Sequence, residues 1–470
     1  MKKYDLIVIG TGSAMNIASA LMNRKHDMKV AVIDKDEPGG ICLTRGCIPT
    51  KILLYPADLV RMIQSAGELG ISVDIKKVDF QLIMNRMREL IGEDIESIRR
   101  GLSHSPNIDY YKDIAEFTGP YRLKVGKKEI TSKLILLCTG SKPSIPDIKG
   151  LSKINYHTSD TILEIAKLPE SMVILGGGYI GAEYGHFFSA MGTEVTILGR
   201  NPRFLPQEEP EVSALAKKEL SRHMTILTDH EVVEVSKGLT GKRKNVVAKD
   251  RKTGKKVTVT AEEIFVATGR VSNSDILHPE KADIDVDKNG WIVVNEYMQT
   301  SQPGIWAFGD ANGKYLFKHV ANYESRVVFY NAVLKRKMKA DYHAIPHAVF
   351  THPEIAGVGM TEAEAVKNYG DNRVLVGIQK YEDTAKGMAM NIKDYFVKVI
   401  VDGESNKILG AHIIGPQASV LIQEIINLMY TSDRSIMPIH EGMHIHPALS
   451  EVVERAFGAL IPVGHRHHHH

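Results

Sequence analysis

One short pattern occurs twice in this sequence, and it restricts the possible folds more than any other feature. Residues 4–12 form an apolar run that ends in glycines, and residues 172–181 form a second run of the same kind. A continuous β-branched run followed by glycines and a helical pattern is typical of the first strand and helix of a parallel, doubly wound sheet. Two copies therefore predict two nucleotide-binding domains in one chain.

The C-terminal part of the chain has a different pattern. From about residue 341, short strands at 395–401 and 408–414 and an amphipathic helix at 420–430 occur without any glycine-rich loop. A chain of 470 residues is too long for one ordinary core, so several domains are expected. We predict an α/β fold with two doubly wound, Rossmann-like nucleotide-binding domains and a C-terminal α+β domain.

The first glycine turn is incomplete. Gly10 and Gly12 let backbone N–H groups approach a pyrophosphate at a helix N-terminus, and Asp34 ends the second strand where a carboxylate can bind ribose hydroxyls. The third glycine position holds Met15. Because a glycine there normally allows close packing of helix and strand, we expect a slightly displaced helix with intact phosphate contacts.

The second glycine turn is complete but lacks the carboxylate. Its glycines are Gly176, Gly178 and Gly181. Gly199 stands where an NAD-binding site has Asp or Glu, and Arg200 and Arg203 follow it. Arginine can grip a 2′-phosphate bidentately, so the pattern favours NADP(H) over NAD(H). The alternative is that both arginines are solvated loop charges and that NAD(H) is accepted.

Two closely spaced cysteines indicate the chemistry. Cys42 and Cys47 are five residues apart with a glycine between them, whereas Cys138 ends a distant apolar run. Such a pair can close a small ring at the start of a helix, where the helix N-terminus lowers the pKa of a thiol. One alternative to a redox-active pair is a metal site, which would need further ligands nearby. The other alternative is that the two cysteines are unrelated buried residues. We predict no metal site.

Composition argues against several other classes of protein. The formal net charge is only +3, and the basic stretch 242–256 alternates with turn residues, so we expect a solvated hairpin and no nucleic-acid partner. No apolar run reaches the ~18 residues of a membrane helix, so we expect no membrane association and a cytoplasmic location. The histidines at the end of the chain resemble a purification tag.

The stretch 39–51 resembles the redox-active disulfide segment of the pyridine-nucleotide disulfide oxidoreductases, in the branch that contains dihydrolipoamide dehydrogenase. Further motifs of this family follow in order along essentially the whole chain, at 138–143, 267–270, 300–310, 346–359 and 444–451. Thr44 and Arg45 depart from the usual residues between the two cysteines. The charge of Arg45 either lowers the pKa of the thiols or points to solvent.

The resemblance implies cofactors and domain boundaries. It implies an FAD-binding domain with a central part, an NAD(P)-binding domain, a dimerisation domain and a probable tag tail, with bounds 1–146 plus 271–340, 147–270, 341–462 and 463–470. The implied FAD-binding residues are Gly10, Gly12, Asp34, Gly40, Lys51, Thr139, Gly140, Gly309 and Asp310. The implied NAD(P)-binding residues are Gly176, Gly178, Tyr179, Gly181, Glu183, Arg200, Arg203 and Gly269. Lys51 would pair with Glu183 and tune the flavin, with an ordinary surface ion pair as the alternative.

The resemblance also implies an electron relay in a homodimer. Substrate sulfur would exchange with Cys42, while Cys47 would face the flavin. His446, oriented by Glu451, would move the proton at the cysteine pair of the other subunit. Histidine suits this role because its ordinary pKa lies near neutrality. We expect the neighbouring His444 to be structural.

We expect the chain to be a dihydrolipoamide dehydrogenase, which oxidises dihydrolipoyl groups and passes hydride to NAD(P)⁺. Its partner would then be a lipoyl domain or a dihydrolipoyl acyltransferase of a 2-oxoacid dehydrogenase complex. The first alternative is an NADPH-dependent reductase of a glutathione-like or mycothiol-like disulfide, which Arg200, Arg203 and Tyr179 favour. The second alternative is a mainly complex-forming subunit that docks to the acyltransferase.

Overall fold

The computed structural model describes residues 1–25, 27–239 and 241–466. The last part of the expected tail, 467–470, lies outside the described residues. The first part is ordered against the C-terminal sheet, where Val463 is buried in an apolar cluster. Among the helices of the described ranges, none is both long and apolar enough to cross a lipid bilayer.

The secondary structure alternates between strands and helices over most of the chain. The strands are β1 (Lys2–Lys3), β2 (Leu6–Ile9), β3 (Val30–Ile33), β4 (Ile108–Tyr111), β5 (Ala115–Gly119), β6 (Arg122–Val125), β7 (Lys128–Thr131), β8 (Ile135–Leu137), β9 (Ser141–Pro143), β10 (His157–Thr158), β11 (Ser171–Leu175), β12 (Glu194–Leu198), β13 (Thr225–Leu227), β14 (His230–Lys237), β15 (Lys244–Asp250), β16 (Lys256–Ala261), β17 (Glu263–Val266), β18 (Arg270–Ser272), β19 (Ile305–Ala307), β20 (Pro346–Val349), β21 (Ile355–Gly359), β22 (Val374–Lys380), β23 (Phe396–Asp402), β24 (Ile408–Ile414) and β25 (Ile461–Pro462). The α-helices are α1 (Met15–Arg24), α2 (Gly40–Thr44), α3 (Cys47–Ser65), α4 (Phe80–His104), α5 (Tyr179–Met191), α6 (Pro210–Leu220), α7 (Lys318–Val328), α8 (Glu362–Tyr369), α9 (Ala385–Ala389), α10 (Ala418–Met429), α11 (Met437–Glu441), α12 (Ser450–Gly458) and α13 (Val463–Arg466).

The first of the two predicted nucleotide-binding units is a parallel sheet with the strand order β19-β8-β2-β3-β4. All four side chains of β2 are buried, as expected for a strand that is covered on both faces. β19 lies far along the chain, yet it pairs with β8, so the chain returns to the first sheet after building the second unit. This return brings the helical turn Gly309–Asn312 to the carboxyl edge of the first sheet.

The second unit is a parallel sheet with the order β10-β17-β11-β12-β13. Its glycine turn connects β11 to α5. The antiparallel strands β14, β15 and β16 pack beside it and share its apolar core. The predicted hairpin in the basic stretch is formed by β15 and β16. Together the two parallel sheets confirm the predicted α/β class.

The C-terminal domain is built on an antiparallel sheet with the order β20-β21-β24-β23-β22-β25. Its central strands β23 and β24 are buried along their whole length. Helices α10 and α12 pack against the sheet through a single apolar cluster. This arrangement confirms the predicted α+β character of the C-terminal region.

Large apolar side chains are exposed in several places, and two of these places lie near residues of the predicted relay. On α3, which begins at Cys47, the side chain of Tyr55 is 67% exposed. Before α12, Met443 and Ile445 are also exposed, and Ile445 directly precedes His446. Exposed apolar patches of this kind mark interaction surfaces. Both patches adjoin residues of the predicted relay.

Candidate redox and nucleotide-binding site

Close backbone contacts shape the first glycine turn. Gly10 has a φ of 103°, and a Cβ there would lie 2.1 Å from the carbonyl oxygen of Cys138. A Cβ at Gly40 would lie 2.8 Å from the Cα atom of Gly12. Only glycine permits these approaches, and they bring the backbone of both segments to the edge of one cleft.

The first helix begins later after its glycine turn than the corresponding helix of the second unit. α1 begins at Met15, whereas α5 begins at Tyr179, directly after Gly178. The N–H group of Ile17 donates to the carbonyl three residues back, whereas that of Ala182 donates four residues back to Gly178. The helix displacement that we expect from Met15 therefore takes the form of a late start with a tighter first turn.

Asp34 is fixed at the carboxyl end of β3 by the first turn. Its Oδ2 atom accepts hydrogen bonds from the backbone N–H and the hydroxyl of Thr11, at 2.9 and 2.5 Å. Its Oδ1 atom accepts from the N–H of Asp36 at 3.0 Å. Each carboxylate oxygen can accept further bonds, so Asp34 can still receive the hydroxyls of a ribose.

The cleft runs from Asp34 to the cysteine pair and has a volume of about 330 Å³. Its lining includes the first glycine turn, the start of α5 at Tyr179 and Ile180, and both Cys42 and Cys47. The hydroxyl of Thr139, which also lines it, is buried and has no hydrogen-bond partner in the described part of the chain. An unsatisfied buried hydroxyl is costly unless a ligand binds it. A bound dinucleotide fits three features of the cleft: the Thr139 hydroxyl, the backbone exposed by the glycine turn, and the Asp34 carboxylate.

Asp310 is positioned by two residues that the sequence analysis did not select. Its Oδ2 atom accepts a hydrogen bond from the Ser141 hydroxyl at 2.5 Å, and Arg270 donates to the same hydroxyl at 2.7 Å. Burial raises the pKa of Asp310, while the Ser141 bond and the Arg270 charge oppose that rise. Both residues lie inside the family motifs at 138–143 and 267–270, so the motifs carry the signal.

Glu324 holds the turn that carries Asp310. Its Oε2 atom accepts hydrogen bonds from the backbone N–H of Gly309 at 2.6 Å and from the amide of Asn312 at 3.0 Å. Burial raises the pKa of Glu324, and its hydrogen bonds oppose the rise. No sequence pattern marks this residue, because it reaches Gly309 only through the packing of α7 on the turn.

The two cysteines meet where α2 ends and α3 begins. A Cβ at Gly46 would lie 2.8 Å from the carbonyl oxygen of Ile41, so the connecting loop closes only with glycine. The Cys42 thiol donates a hydrogen bond to Cys47, and this bond together with the charge of Lys51 lowers the pKa of Cys47 to about 7. The same contact and burial raise the pKa of Cys42. In the reduced pair, Cys47 therefore carries the thiolate near neutral pH.

The third cysteine is poorly suited to nucleophilic chemistry. Burial raises the pKa of Cys138 well above the ordinary value of a thiol, and only a thiolate is strongly nucleophilic. In the described ranges, no three His, Cys, Asp or Glu side chains are grouped so that they could hold a metal ion.

Lys51 and Glu183 form an ion pair where the three domains meet. Lys51 Nζ lies 2.8 Å from Glu183 Oε2, and the backbone N–H of Phe350 donates to Oε1 at 3.0 Å. The ammonium group also lies 4.5 Å from the centre of the Phe350 ring. Lys51 and Glu183 both line the cleft. The lysine is thus fixed between a carboxylate and an aromatic face.

Arg45 follows neither of the two sequence-based alternatives. Its side chain is only 21% exposed and donates to Asp36 at 2.7 Å. Its Nε atom lies 3.4 Å from Asp160 Oδ1. Two carboxylates therefore match its charge, and the pKa of Arg45 is raised by Asp36 and Asp160 against the effect of burial. Arg45 ties the redox loop to the ribose end of the cleft and to the second unit.

The second glycine turn is also held by backbone contacts. Gly176 has a φ of 123°, and a Cβ there would lie 2.2 Å from the carbonyl oxygen of Ala267. A Cβ at Gly181 would lie 2.2 Å from the carbonyl oxygen of Gly176. Gly178 caps α5, and Gly269 has a φ of 111° at the end of the next motif. The complete motif thus packs the first turn of α5 closely against the glycine turn that precedes it.

Tyr179 lies between the second turn and the cysteine cleft. Its ring centre is 6.2 Å from the rings of both Phe317 and His347. Its hydroxyl donates a hydrogen bond to the side chain of Gln207. Burial raises the pKa of Tyr179, so the hydroxyl stays neutral at physiological pH. The ring lines the cleft.

The loop after β12 carries the expected basic residues. Arg200 and Arg203 follow Gly199 and are exposed. In the described ranges neither has an acidic partner; Arg203 donates only to the carbonyl of Pro206, at 3.3 Å. Arg251 donates to the carbonyl of Arg200 at 3.0 Å and brings a third positive charge to the loop. The loop is free to receive an anionic group.

His446 and Glu451 form a hydrogen-bonded pair away from the cysteines. His446 Nδ1 lies 2.9 Å from Glu451 Oε1, and the ring is 67% exposed while the carboxylate is 7% exposed. The His446 bond lowers the pKa of Glu451. None of the cleft-lining residues comes from this segment. His444 is different: its Nε2 atom lies 2.8 Å from Glu424, and its side chain is mostly buried.

Comparison with protein families identifies the class. Residues 4–332 match the family model described as pyridine nucleotide-disulphide oxidoreductase. Residues 345–457 match the model of the dimerisation domain of the same family. The chain therefore belongs to the pyridine nucleotide-disulphide oxidoreductases, its cofactors are FAD and NAD(P), and its dimerisation domain supports a homodimer.

Individual relatives cover nearly the whole chain. The mycothione reductase of Mycobacterium tuberculosis is 38% identical over 477 residues, which cover 98% of this chain and 100% of the relative. The dihydrolipoyl dehydrogenase of Synechocystis sp. is 33% identical over 470 residues, covering 97% of this chain and 98% of the relative. The solved Cu(II) complex of the HOCl-induced flavoprotein disulfide reductase RclA from Escherichia coli superposes with a TM-score of 0.86 at 27% identity, covering 97% and 99% of the two chains.

Proposed function

We propose that the chain is a homodimeric, NADP(H)-linked reductase of a small-molecule disulfide. The observation that carries this proposal is the loop after β12, where Gly199 replaces a carboxylate and Arg200 and Arg203 are exposed without acidic partners in the described ranges. At a surface-like dielectric, opposite charges 4 Å apart attract by about 4 kcal/mol before desolvation, which is enough to set a preference for the 2′-phosphate. The similarity to a mycothione reductase supports the same choice.

Dihydrolipoamide dehydrogenase, our first expectation from sequence, is the second candidate. The similarity to the Synechocystis dihydrolipoyl dehydrogenase supports it, and the two candidates need the same cysteine pair. They differ in the coenzyme, in the direction of electron flow and in the partner, since a dehydrogenase would receive its substrate from a lipoyl domain of an acyltransferase. The arginine loop is the feature that makes us prefer the reductase.

The relay is assigned to the residues around the cysteine pair. FAD, bound in the cleft, supplies electron transfer between the nicotinamide and that pair. Lys51, held by Glu183, stabilises negative charge on Cys47, which we assign to the flavin side. Cys42 exchanges with the substrate sulfur, and because its contact with Cys47 and burial raise its pKa, it must pass its proton to a base as it attacks. We assign the entry of the nicotinamide to the part of the cleft beside Tyr179, because the Tyr179 ring lines the cleft there.

We assign proton transfer to His446 of a second copy of the chain. Glu451 binds Nδ1 of the ring and leaves Nε2 free to give a proton to the departing substrate thiolate. The ring is exposed and lies outside the cleft of its own chain, which supports a role at another subunit. The exposed apolar side chains of Ile445 and Met443 next to it would be covered in the dimer.

We also retain the domain assignment from sequence, because each proposed domain contains one of the observed sheets. Residues 1–146 with 271–340 contain the sheet of the first unit, 147–270 contain that of the second, and 341–462 contain the antiparallel sheet. The implied cofactor residues Gly40, Thr139, Gly140 and Gly309 all line the cleft beside Asp34 and Asp310.

Steady-state kinetics with four substrate pairs tests the proposal. Glutathione disulfide and lipoamide are each assayed with NADPH and with NADH. A reductase gives the highest kcat/KM with NADPH and the small disulfide. Turnover of lipoamide with NADH alone would contradict the proposal and favour the dehydrogenase.

The cofactor content of the purified protein distinguishes a relay enzyme from a subunit whose main role is complex formation. A relay enzyme is yellow and contains about one FAD per chain. A subunit that only docks to an acyltransferase would be isolated without flavin and without disulfide turnover.

A further inference from the structure

A second pocket opens beside the cysteine pair, between α3 and α4. Cys47 lines both this pocket and the cleft, so the pocket adjoins the redox centre directly. Its walls include the exposed side chains of Ile48 and Tyr55 on α3. Arg86 on α4 contributes the polar group opposite them. Cys42 lines only the adjoining cleft, so a substrate whose sulfur reacts at Cys42 and whose remaining groups extend into this pocket would contact Arg86.

Arg86 differs from two other arginines of α4, which are used within the fold. Arg88 donates to the carbonyl of Leu163 at 3.0 Å, and Arg99 pairs with Glu37. Arg86 is exposed, and within the described ranges neither an acidic side chain nor a hydrogen-bond acceptor contacts it. A guanidinium that has no partner among the described residues is available to a ligand.

The charges of the pocket are not balanced. Lys51, the other cation in its lining, is paired with Glu183 at 2.8 Å. Arg86 therefore supplies the net positive charge of the pocket. The pocket is open to solvent, so Arg86 can be reached directly by a ligand that enters it.

We propose that Arg86 binds a carboxylate of the substrate and so selects disulfides of carboxylate-bearing thiols over neutral ones. This inference rests on the proposed reductase function and narrows its substrate class. A planar guanidinium binds a carboxylate bidentately, which lysine cannot reproduce. Lipoamide and other neutral disulfides offer no group for this contact.

The carboxylate of the substrate takes no part in the thiol–disulfide exchange. A thiolate of the reduced pair attacks one substrate sulfur, the substrate S–S bond breaks, and one thiol leaves after protonation. The second cysteine sulfur then attacks the mixed disulfide, releases the second thiol and closes the Cys42–Cys47 disulfide. Two electrons and two protons reach the substrate, and NADPH restores the electrons to the pair. Arg86 fixes the orientation of the substrate without taking part in these bonds.

Dithiodipropionate and its diamide provide a matched pair of probes, because they differ only in carboxylate against amide. With NADPH, the wild-type enzyme should show a higher kcat/KM for the dicarboxylate, by about tenfold or more, the effect of one charged hydrogen-bonded contact. The Arg86→Gln variant should lose this preference while its kcat/KM for the diamide stays within about twofold of wild type. The Arg86→Lys variant should keep the sign of the preference but less of its size.

Arg100→Gln is the matched control, because it removes the same charge from the same helix at an exposed position that does not line the pocket. It should leave the preference for the dicarboxylate unchanged. An equal rate of the wild-type enzyme with both probes would overturn the inference and leave the reductase function intact. An equal loss of preference in Arg100→Gln and Arg86→Gln would also overturn the inference. The preference would then depend on the overall positive charge of α4 and not on a direct contact with Arg86. No turnover of any disulfide with NADPH would contradict the proposed function itself.

Discussion

Lys51 donates to Glu183 across 2.8 Å and thereby joins α3, which begins with Cys47, to α5, which follows the second glycine turn. The pair couples the redox loop to the second nucleotide-binding unit. The two partners act on Cys47 in opposite directions, since the charge of Lys51 lowers the pKa of its thiol and the charge of Glu183 raises it.

Removing Lys51 and removing Glu183 should therefore shift the pKa of the Cys47 thiol in opposite directions. In the reduced protein, Lys51→Met should raise the pKa of Cys47 above its value of about 7, whereas Glu183→Gln should lower it. The pH dependence of the alkylation rate of Cys47, followed by peptide mass spectrometry, measures this shift. A shift of the same sign in both variants would refute the electrostatic role of the pair.

The basic loop predicts a loss of coenzyme discrimination. The double variant Arg200→Gln with Arg203→Gln should reduce the ratio of kcat/KM for NADPH over NADH by about tenfold or more, because a 2′-phosphate loses its cationic partners. The rate with saturating NADH should change little, because neither arginine lines the cleft. An unchanged ratio would mean that both arginines are only solvated loop charges.

Subunit mixing tests whether His446 serves the other chain. Homodimers of His446→Gln should lose about 10² to 10⁴ in kcat, and homodimers of Cys47→Ser should lose all disulfide reduction. Co-refolded mixtures should recover about a quarter of wild-type activity, since half of the dimers are mixed and each mixed dimer has one intact site. Mixtures as inactive as the parents would show that His446 acts within its own chain.

An ion pair of the C-terminal domain predicts a stability that depends on pH. Arg373 donates to both oxygens of buried Asp402, at 2.6 and 2.8 Å, and holds the pKa of that carboxyl well below its usual range. A carboxyl with a lowered pKa stabilises the fold above the unfolded value of about 3.9, and this contribution is lost as the pH falls further. Asp402→Asn should cost about 1–3 kcal/mol at neutral pH, and the difference from wild type should shrink below about pH 4.

Urea unfolding of the holoenzyme at fixed concentration measures this difference, and Glu404→Gln is its control. Glu404 contacts the same arginine at 2.7 Å but is largely exposed, so its removal should change the free energy of unfolding by less than about 1 kcal/mol. Equal effects of the two variants, or an effect of Asp402→Asn that stays constant at acid pH, would contradict the assignment.

Local patterns were sufficient to predict the two parallel sheets and the segment that contains the cysteines. β2 and β11 are continuous apolar runs that end in glycines, and such runs are legible without tertiary contacts. The same pattern explains why Gly10 and Gly176 must be glycines. Each packs against the carbonyl of a residue that directly follows a neighbouring strand of its sheet.

Other parts of the site depend on contacts between distant segments. Glu324 reaches Gly309, and Arg45 reaches Asp160, only after the domains have packed. The availability of Arg86 is equally invisible in sequence, because it depends on which carboxylates fail to lie nearby. Substrate preference follows from such contacts, which explains why the family was predictable from sequence and the choice between lipoamide and another disulfide was not.

The electron relay through the cysteine pair is tested most directly by counting thiols. The oxidised holoenzyme is denatured and alkylated before and after anaerobic addition of one equivalent of NADPH, and the modified residues are identified by mass spectrometry. If Cys42 and Cys47 are the redox pair, only Cys138 is modified before reduction, and all three cysteines are modified afterwards. Full modification of Cys42 and Cys47 before NADPH is added, or no change after it, would contradict the relay.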